Sequence, residues 1–146
     1  MRTYGVSRST SASPAAVWSI WCDPGHWSRW NSGILRAEVD GPVANGRTGK
    51  MTTDRGSTHD VTFHDVVEGR RFSMSMGGPP LTTFRFNCEI TPEAGQTTIA
   101  QSVTISGPLA GLFGALMGKE MAKHFVPVLD DLAAEAVLRQ AQGDNG

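Results

Sequence analysis

The stretch from Asn31 to Ser106 constrains this chain most, because apolar and polar residues alternate there with a period of two and only turn residues interrupt them. Alternation is clearest in Phe72-Ser73-Met74-Ser75-Met76 and in Phe84-Arg85-Phe86-Asn87-Cys88-Glu89-Ile90. It recurs in Val61-Thr62-Phe63 and from Ile99 to Ile105. A period of two sends successive side chains to opposite faces, so each run reads as an antiparallel strand covered on one side. Asn45-Gly46, Arg55-Gly56, Glu68-Gly69, Gly77-Gly78-Pro79-Pro80 and Ala94-Gly95 separate the runs. Connections this short predict consecutive hairpins rather than crossovers.

The flanks follow other rules. Tyr4 to Thr10 is a further strand candidate. Ser13-Pro14 reads as a helix start, a serine cap before a proline at the first helical position, and Val17, Trp18, Ile20 and Trp21 supply its apolar face. Asp23-Pro24 repeats the signal and predicts a second short helix with His26, Trp27 and Trp30. Beyond Gly107-Pro108 the period becomes helical. Leu109, Phe113, Leu116, Met117, Met121, Val128 and Leu132 share a drifting face of one helix running to about Gln140. Gly111, Gly114 and Gly118 weaken its first turns, and Pro127 bends it. The expectation is one α+β domain over residues 1–141, with 142–146 a frayed tail. One helix covers only a strip of a curved six- to seven-stranded sheet, so the remaining apolar face meets the short helices or a cavity.

Composition narrows the function classes. The 146 residues suit one domain. Thirteen Lys+Arg against fourteen Asp+Glu give a net charge of -1, which removes the electrostatic case for nucleic acid. The first residues hold no apolar signal segment, and Gly107–Gly118 is too short to span a bilayer, so no membrane span is expected. Cys22 and Cys88 stand apart and read as two reduced thiols of a cytoplasmic protein, monomer or homodimer. All four tryptophans fall between Trp18 and Trp30. Trp18 and Trp21 are expected to anchor the first helix, and Trp27 and Trp30 to border a mouth of the sheet.

Ser13-Pro14-Ala15-Ala16-Val17-Trp18, Asp23 with Trp27 and Trp30-Asn31, Val66-Val67-Glu68-Gly69-Arg70-Arg71-Phe72, and Ser106-Gly107-Pro108-Leu109 recur here in a telling order. Together with the terminal helix they resemble the START/Bet v 1-like (SRPBCC) superfamily, and within it the polyketide cyclase/dehydrase-type group, over roughly residues 3 to 138. The resemblance implies a helix-grip fold, a curved antiparallel sheet wrapped around the long C-terminal helix. It also implies an internal cavity for a lipid, polyketide or aromatic molecule. Trp27 matches the tryptophan that borders the cavity in the aromatase/cyclases. Those enzymes place an arginine on the strand corresponding to Val61–Asp65, where this chain has none, leaving Asp65 or His59 for that role.

If the apolar strand faces point inward, Phe63, Phe72, Met74, Met76, Phe84, Phe86, Val103 and Leu116 form a deformable wall. Five polar residues share parity or helix face with it: His59, Asp65, Gln101, Glu120 and His124. Glu120 and His124 are four apart and could meet across one turn. A carboxylate beside an imidazole in an apolar site could exchange protons with a ligand; the competing reading leaves these groups in solvent. No nucleophile elbow, H-E-x-x-H, P-loop or dinucleotide fingerprint occurs, and no cofactor or metal is expected. The favoured reading is a carrier or sensor that binds a hydrophobic small molecule through Trp27, Trp30, His59, Phe63, Phe72, Met74, Phe84, Phe86, Gln101, Leu116, Glu120 and His124. The alternative is a polyketide cyclase/dehydrase drawing its acid and base from His59, Asp65, Gln101, Glu120 or His124. A weaker third is an interaction module acting through the outer surface.

Overall fold

The computed structural model describes residues 2–77 and 81–144, with the side chains of Arg2, Leu112, Phe113, Gly143 and Asp144 left out. Seven strands, β1 (Arg2–Thr10), β2 (Ile34–Val39), β3 (Thr48–Thr53), β4 (Thr58–Val67), β5 (Arg71–Gly77), β6 (Thr83–Glu93) and β7 (Gln96–Ser106), form one sheet. Every neighbouring pair is antiparallel, in the order β1-β7-β6-β5-β4-β3-β2. The meander β2 to β7 therefore runs hairpin by hairpin, as its short turns require, and β1 closes the far edge against β7. The turn expected at Gly77-Gly78-Pro79-Pro80 lies largely outside the described residues.

Helix α1 (Pro14–Trp21) begins where the sequence places it: the Ser13 hydroxyl oxygen accepts from the Ala16 N–H at 3.2 Å. The second short helix, Pro24–Arg29, is 3-10 rather than α. Its Asp23 carboxylate makes no cap; it holds the His26 Nδ1 at 2.5 Å instead. With the first N–H groups uncapped, the segment winds tightly and stops after six residues.

Helix α2 (Ala110–Asp144) is 35 residues long and contains Pro127. It continues to Asp144, past the expected fraying point at Gln142. The Phe113 side chain, placed on its apolar face by period, is outside the described residues. Gly107 makes its start possible. With φ at +119°, a Cβ there would strike the Leu81 carbonyl oxygen, and its own carbonyl accepts from Ala110 N–H at 3.1 Å.

α2 packs on β1, β7 and α1. Its second half drives Leu129, Leu132 and Ala136 into the main core with the tryptophan helices and β4–β7. Its first half joins a separate cluster of Phe84, Val103, Ile105, Ala110 and Phe125. Pro127 stands between the two, and so does the space described next.

Candidate functional site

Because α2 lies over β1 and β7, the inner face of β2–β5 is left to the short helices, and these do not fill it. A cavity of about 220 Å³ remains. Trp21, Trp27 and Trp30 form one end, with Asn31, Gly33 and Ile34 of the connection into β2. Met51 and Thr53 of β3, Phe72, Met74 and Met76 of β5, Phe86 and Cys88 of β6 and Gln101 of β7 form the floor. Met121, His124, Phe125 and Val128 of α2 form the roof.

The aromatic end is built around Phe72. Its ring meets Trp18 and Trp21 edge-on at 6.2 and 5.9 Å, and stacks on Trp27 at 6.0 Å with a 20° interplanar angle. Trp27 donates its Nε1–H to the Trp21 carbonyl at 3.1 Å, so the indole is both a core residue and part of the wall. Polar groups are few. Gln101 and His124 make no side-chain hydrogen bond among the described residues, and each is open to at least partial solvation. Cys88 is buried, and that burial, with Glu89 adding to it, pushes its thiol far above the ordinary value. It is a neutral wall group beside Gln101, its partner across the β6–β7 ladder.

A second hollow of about 630 Å³ adjoins the first. The two share Gly33, Thr53, Met121, His124, Phe125 and Val128. Ser32, Asp54, Arg55, Leu116, Met117, Glu120 and Pro127 complete the outer one. The pair thus forms an apolar interior opening into a vestibule of mixed lining, to which Asp54, Arg55 and Glu120 add charge, between α2 and the β3–β4 turn.

Of the residues expected at the site, Trp27, Trp30, Phe72, Met74, Phe86, Gln101 and His124 stand on the inner wall. The others do not. Phe63 points inward but is fully buried between Trp27 and Phe72, with centroids 6.1 and 6.0 Å away. Phe84 and Val103 pack into the second core cluster under the first half of α2. His59 faces inward at the start of β4, yet its cross-strand partner Met51 occupies the wall there. Asp65 leaves the inner face altogether. A bulge between His64 and Val67, with Asp65 at φ +51°, breaks the alternation, and the exposed carboxylate pairs with Arg71 at 3.4 Å. Glu120 does not meet His124; it is exposed and pairs with Lys123 at 3.1 Å. Leu116 is 72% exposed on the rim of the outer hollow. His59, Asp65, Glu120 and His124 therefore form no cluster, and the described residues hold no group of three or more His, Cys, Asp or Glu fit for a metal.

Sequence reasoning passed over Trp21, Ile34, Met51, Cys88, Met121, Phe125 and Val128, although Met76 was among its wall residues. Usable signals existed for three of them: Cys88 shares parity with Phe84 and Phe86, and Met121 and Val128 lie on the apolar face of the long helix.

No described helix is long and apolar enough to cross a membrane. The architecture recurs in solved structures at low identity, which speaks to fold alone. A protein of Thermus thermophilus, TTHA0849, superposes with a TM-score of 0.72 at 14% identity, over 94% of this chain and 99% of that one. Ara h 8.0201 does so at 0.68 and 13% identity, over 93% and 97%. DynU16, from the dynemicin biosynthetic locus, gives 0.70 at 17% identity, over 90% of this chain and 46% of its own. No curated protein sequence matches significantly. The family described as polyketide cyclase/dehydrase and lipid transport matches residues 1–137. A seven-stranded antiparallel sheet gripping one long helix around an apolar cavity is what that match leads one to expect, and the chain belongs to this SRPBCC-type, Bet v 1-like family.

Proposed function

We propose that this protein binds a hydrophobic small molecule in the inner cavity and acts as a carrier or sensor. The observation that carries the reading is an apolar space of about 220 Å³ that the chain's own side chains leave unfilled. A sealed, dry void of that size would cost on the order of 5 kcal/mol, at about 24 cal/mol per Å³. That is as large as the entire stability of many domains, about 5–15 kcal/mol. Membership of a family described by polyketide cyclisation and lipid transport supports the same reading. The space exceeds the ~150 Å³ that accepts benzene and falls below the ~300 Å³ usual for larger ligands, so the inner chamber suits one or two rings. A longer ligand extends past His124 into the vestibule.

The alternative is polyketide ring closure and dehydration. Ring closure needs a proton acceptor and donor at the ligand, and His124 is the one titratable group on the inner wall besides the neutral Cys88 thiol. The Gln101 amide is a hydrogen-bond partner for a ligand oxygen in either case.

Titration with N-phenyl-1-naphthylamine, followed by fluorescence, tests the proposal. Saturable one-to-one binding is expected, and its absence would overturn cavity binding. Replacing His124 and Gln101 by alanine then separates the roles once a natural ligand is in hand. Turnover lost with affinity retained would establish the cyclase.

A further inference from the structure

The inner wall is unusual in its sulfur. Of the six methionines in the chain, Met51, Met74, Met76 and Met121 line the inner cavity, and Met117 joins Met121 at the vestibule. Among the described side chains no leucine reaches the inner wall, although the chain carries eight. Leucine is used elsewhere in the ordinary way: Leu129 and Leu132 are fully buried in the main core. The division between the two residue types therefore follows the cavity surface.

Two explanations compete. Methionine is a flexible gap-filler, and in a closed core its use is to remove voids. Here four of them surround a space of about 220 Å³ and leave it open. The other use of thioether sulfur is its affinity for aromatic ring edges, each contact favouring a ring over a saturated group of like size. Met74 and Met76 project from the same face of β5, and Phe86 of β6 faces Met74 across the ladder. The aromatic members, Phe72 at one end and Phe125 on the roof, offer ring faces and edges to the same space.

Resting on the cavity reading above, we propose that the ligand is an aromatic ring system of about two rings, selected over saturated rings and acyl chains by the methionine sulfurs. The proposal narrows the occupant from hydrophobic molecules at large to planar, polarisable ones.

Naphthalene and decalin test it, since they share a carbon skeleton and differ in aromaticity. Each is titrated into protein carrying ¹³C-methyl methionine, with affinities corrected for the transfer of each ligand from water to alkane. Naphthalene is expected to bind at least about tenfold more tightly than decalin, the effect of two or three sulfur–ring contacts. Its ring current should move the methyl signals of Met51, Met74, Met76 and Met121. In the doubly substituted Met74→Leu/Met76→Leu protein, whose side-chain volumes are nearly conserved, the preference should fall severalfold. Equal or tighter binding of decalin would overturn the proposal while leaving cavity binding intact, as would a preference that survives the double substitution. Binding of neither ligand, with no methyl signal moved, would overturn both. The methyl shifts are read on the unsubstituted protein, so the test stands if the double variant fails to fold.

Discussion

Phe72 carries more of the site than any other single side chain, because three tryptophans and Phe63 converge on its ring. Truncating it removes a buried ring and opens a void that rigid indoles cannot close. Phe72→Ala is expected to cost about 3–5 kcal/mol in urea denaturation, the range for buried phenylalanine. Cys88 sets a pH limit. Its thiol is pushed up in the folded protein by burial, with Glu89 adding, whereas the unfolded chain ionises at the ordinary 9.0. Above that pH the unfolded state holds fewer protons than the folded one, so stability falls as pH rises through 9. Cys22 shifts in the same direction, from burial first and then Asp23. Denaturation at about pH 8 and about pH 10 should show the loss, and Cys88→Ala should reduce it. Gly118 illustrates a close approach: a Cβ there would run into the Tyr4 ring of β1. Gly118→Ala is expected to lower the melting temperature although alanine is the better helix former by ~1 kcal/mol.

At the scale of elements, α2 is held unequally along its length. Its second half is tied by the fully buried Leu129, Leu132 and Ala136, by Arg8 to Asp130 at 3.2 Å, and by the Ser13 N–H donating to Gln140 Oε1 at 2.6 Å. These ties are unequal in worth. Leu132→Ala should cost about 2–5 kcal/mol, since the side chain is wholly inside the core. Arg8→Ala should cost less than about 1 kcal/mol, because both partners are exposed and water screens the pair. Matched denaturation curves for the two variants check the contrast. The 3-10 helix makes a related point about local signals. Asp-Pro predicted a helix start correctly, yet the carboxylate chose His26 over the backbone, and the helix type changed with it.

For the molecule as a whole, the cavity is a consequence of where one helix can lie on seven strands. α2 divides the core into two clusters, and the space opens at the seam. Filling it should stabilise the unliganded protein and block the ligand together. Cys88→Met adds volume from the floor, and is expected to raise the denaturation midpoint, by about 0.5–2 kcal/mol in stability, while abolishing probe binding. Unchanged probe affinity would place the ligand elsewhere.

The hairpin connectivity of β2 to β7 and the capped start of α1 were legible in the chain because they depend on neighbours in sequence: period two, turn residues, and a serine oxygen within reach of the next turn; the pairing of β1 with β7, about a hundred residues away, was not. The same parity showed which strand residues face inward, and Phe72, Met74, Met76, Phe86 and Gln101 do stand on the cavity wall. Parity could not distinguish wall from filling. Phe63, Phe84 and Val103 face inward just as Phe72 does, but a tryptophan or the first half of α2 occupies the space in front of them. Nor could alternation anticipate the bulge that turns Asp65 outward to Arg71, or the ion pair that draws Glu120 to Lys123 rather than towards His124. Local pattern was enough to specify the meander, the long helix and the apolar character of their common face. Which part of that face stays empty is settled by long-range packing, because an unfilled volume is a property of how distant elements meet, and no local pattern records it.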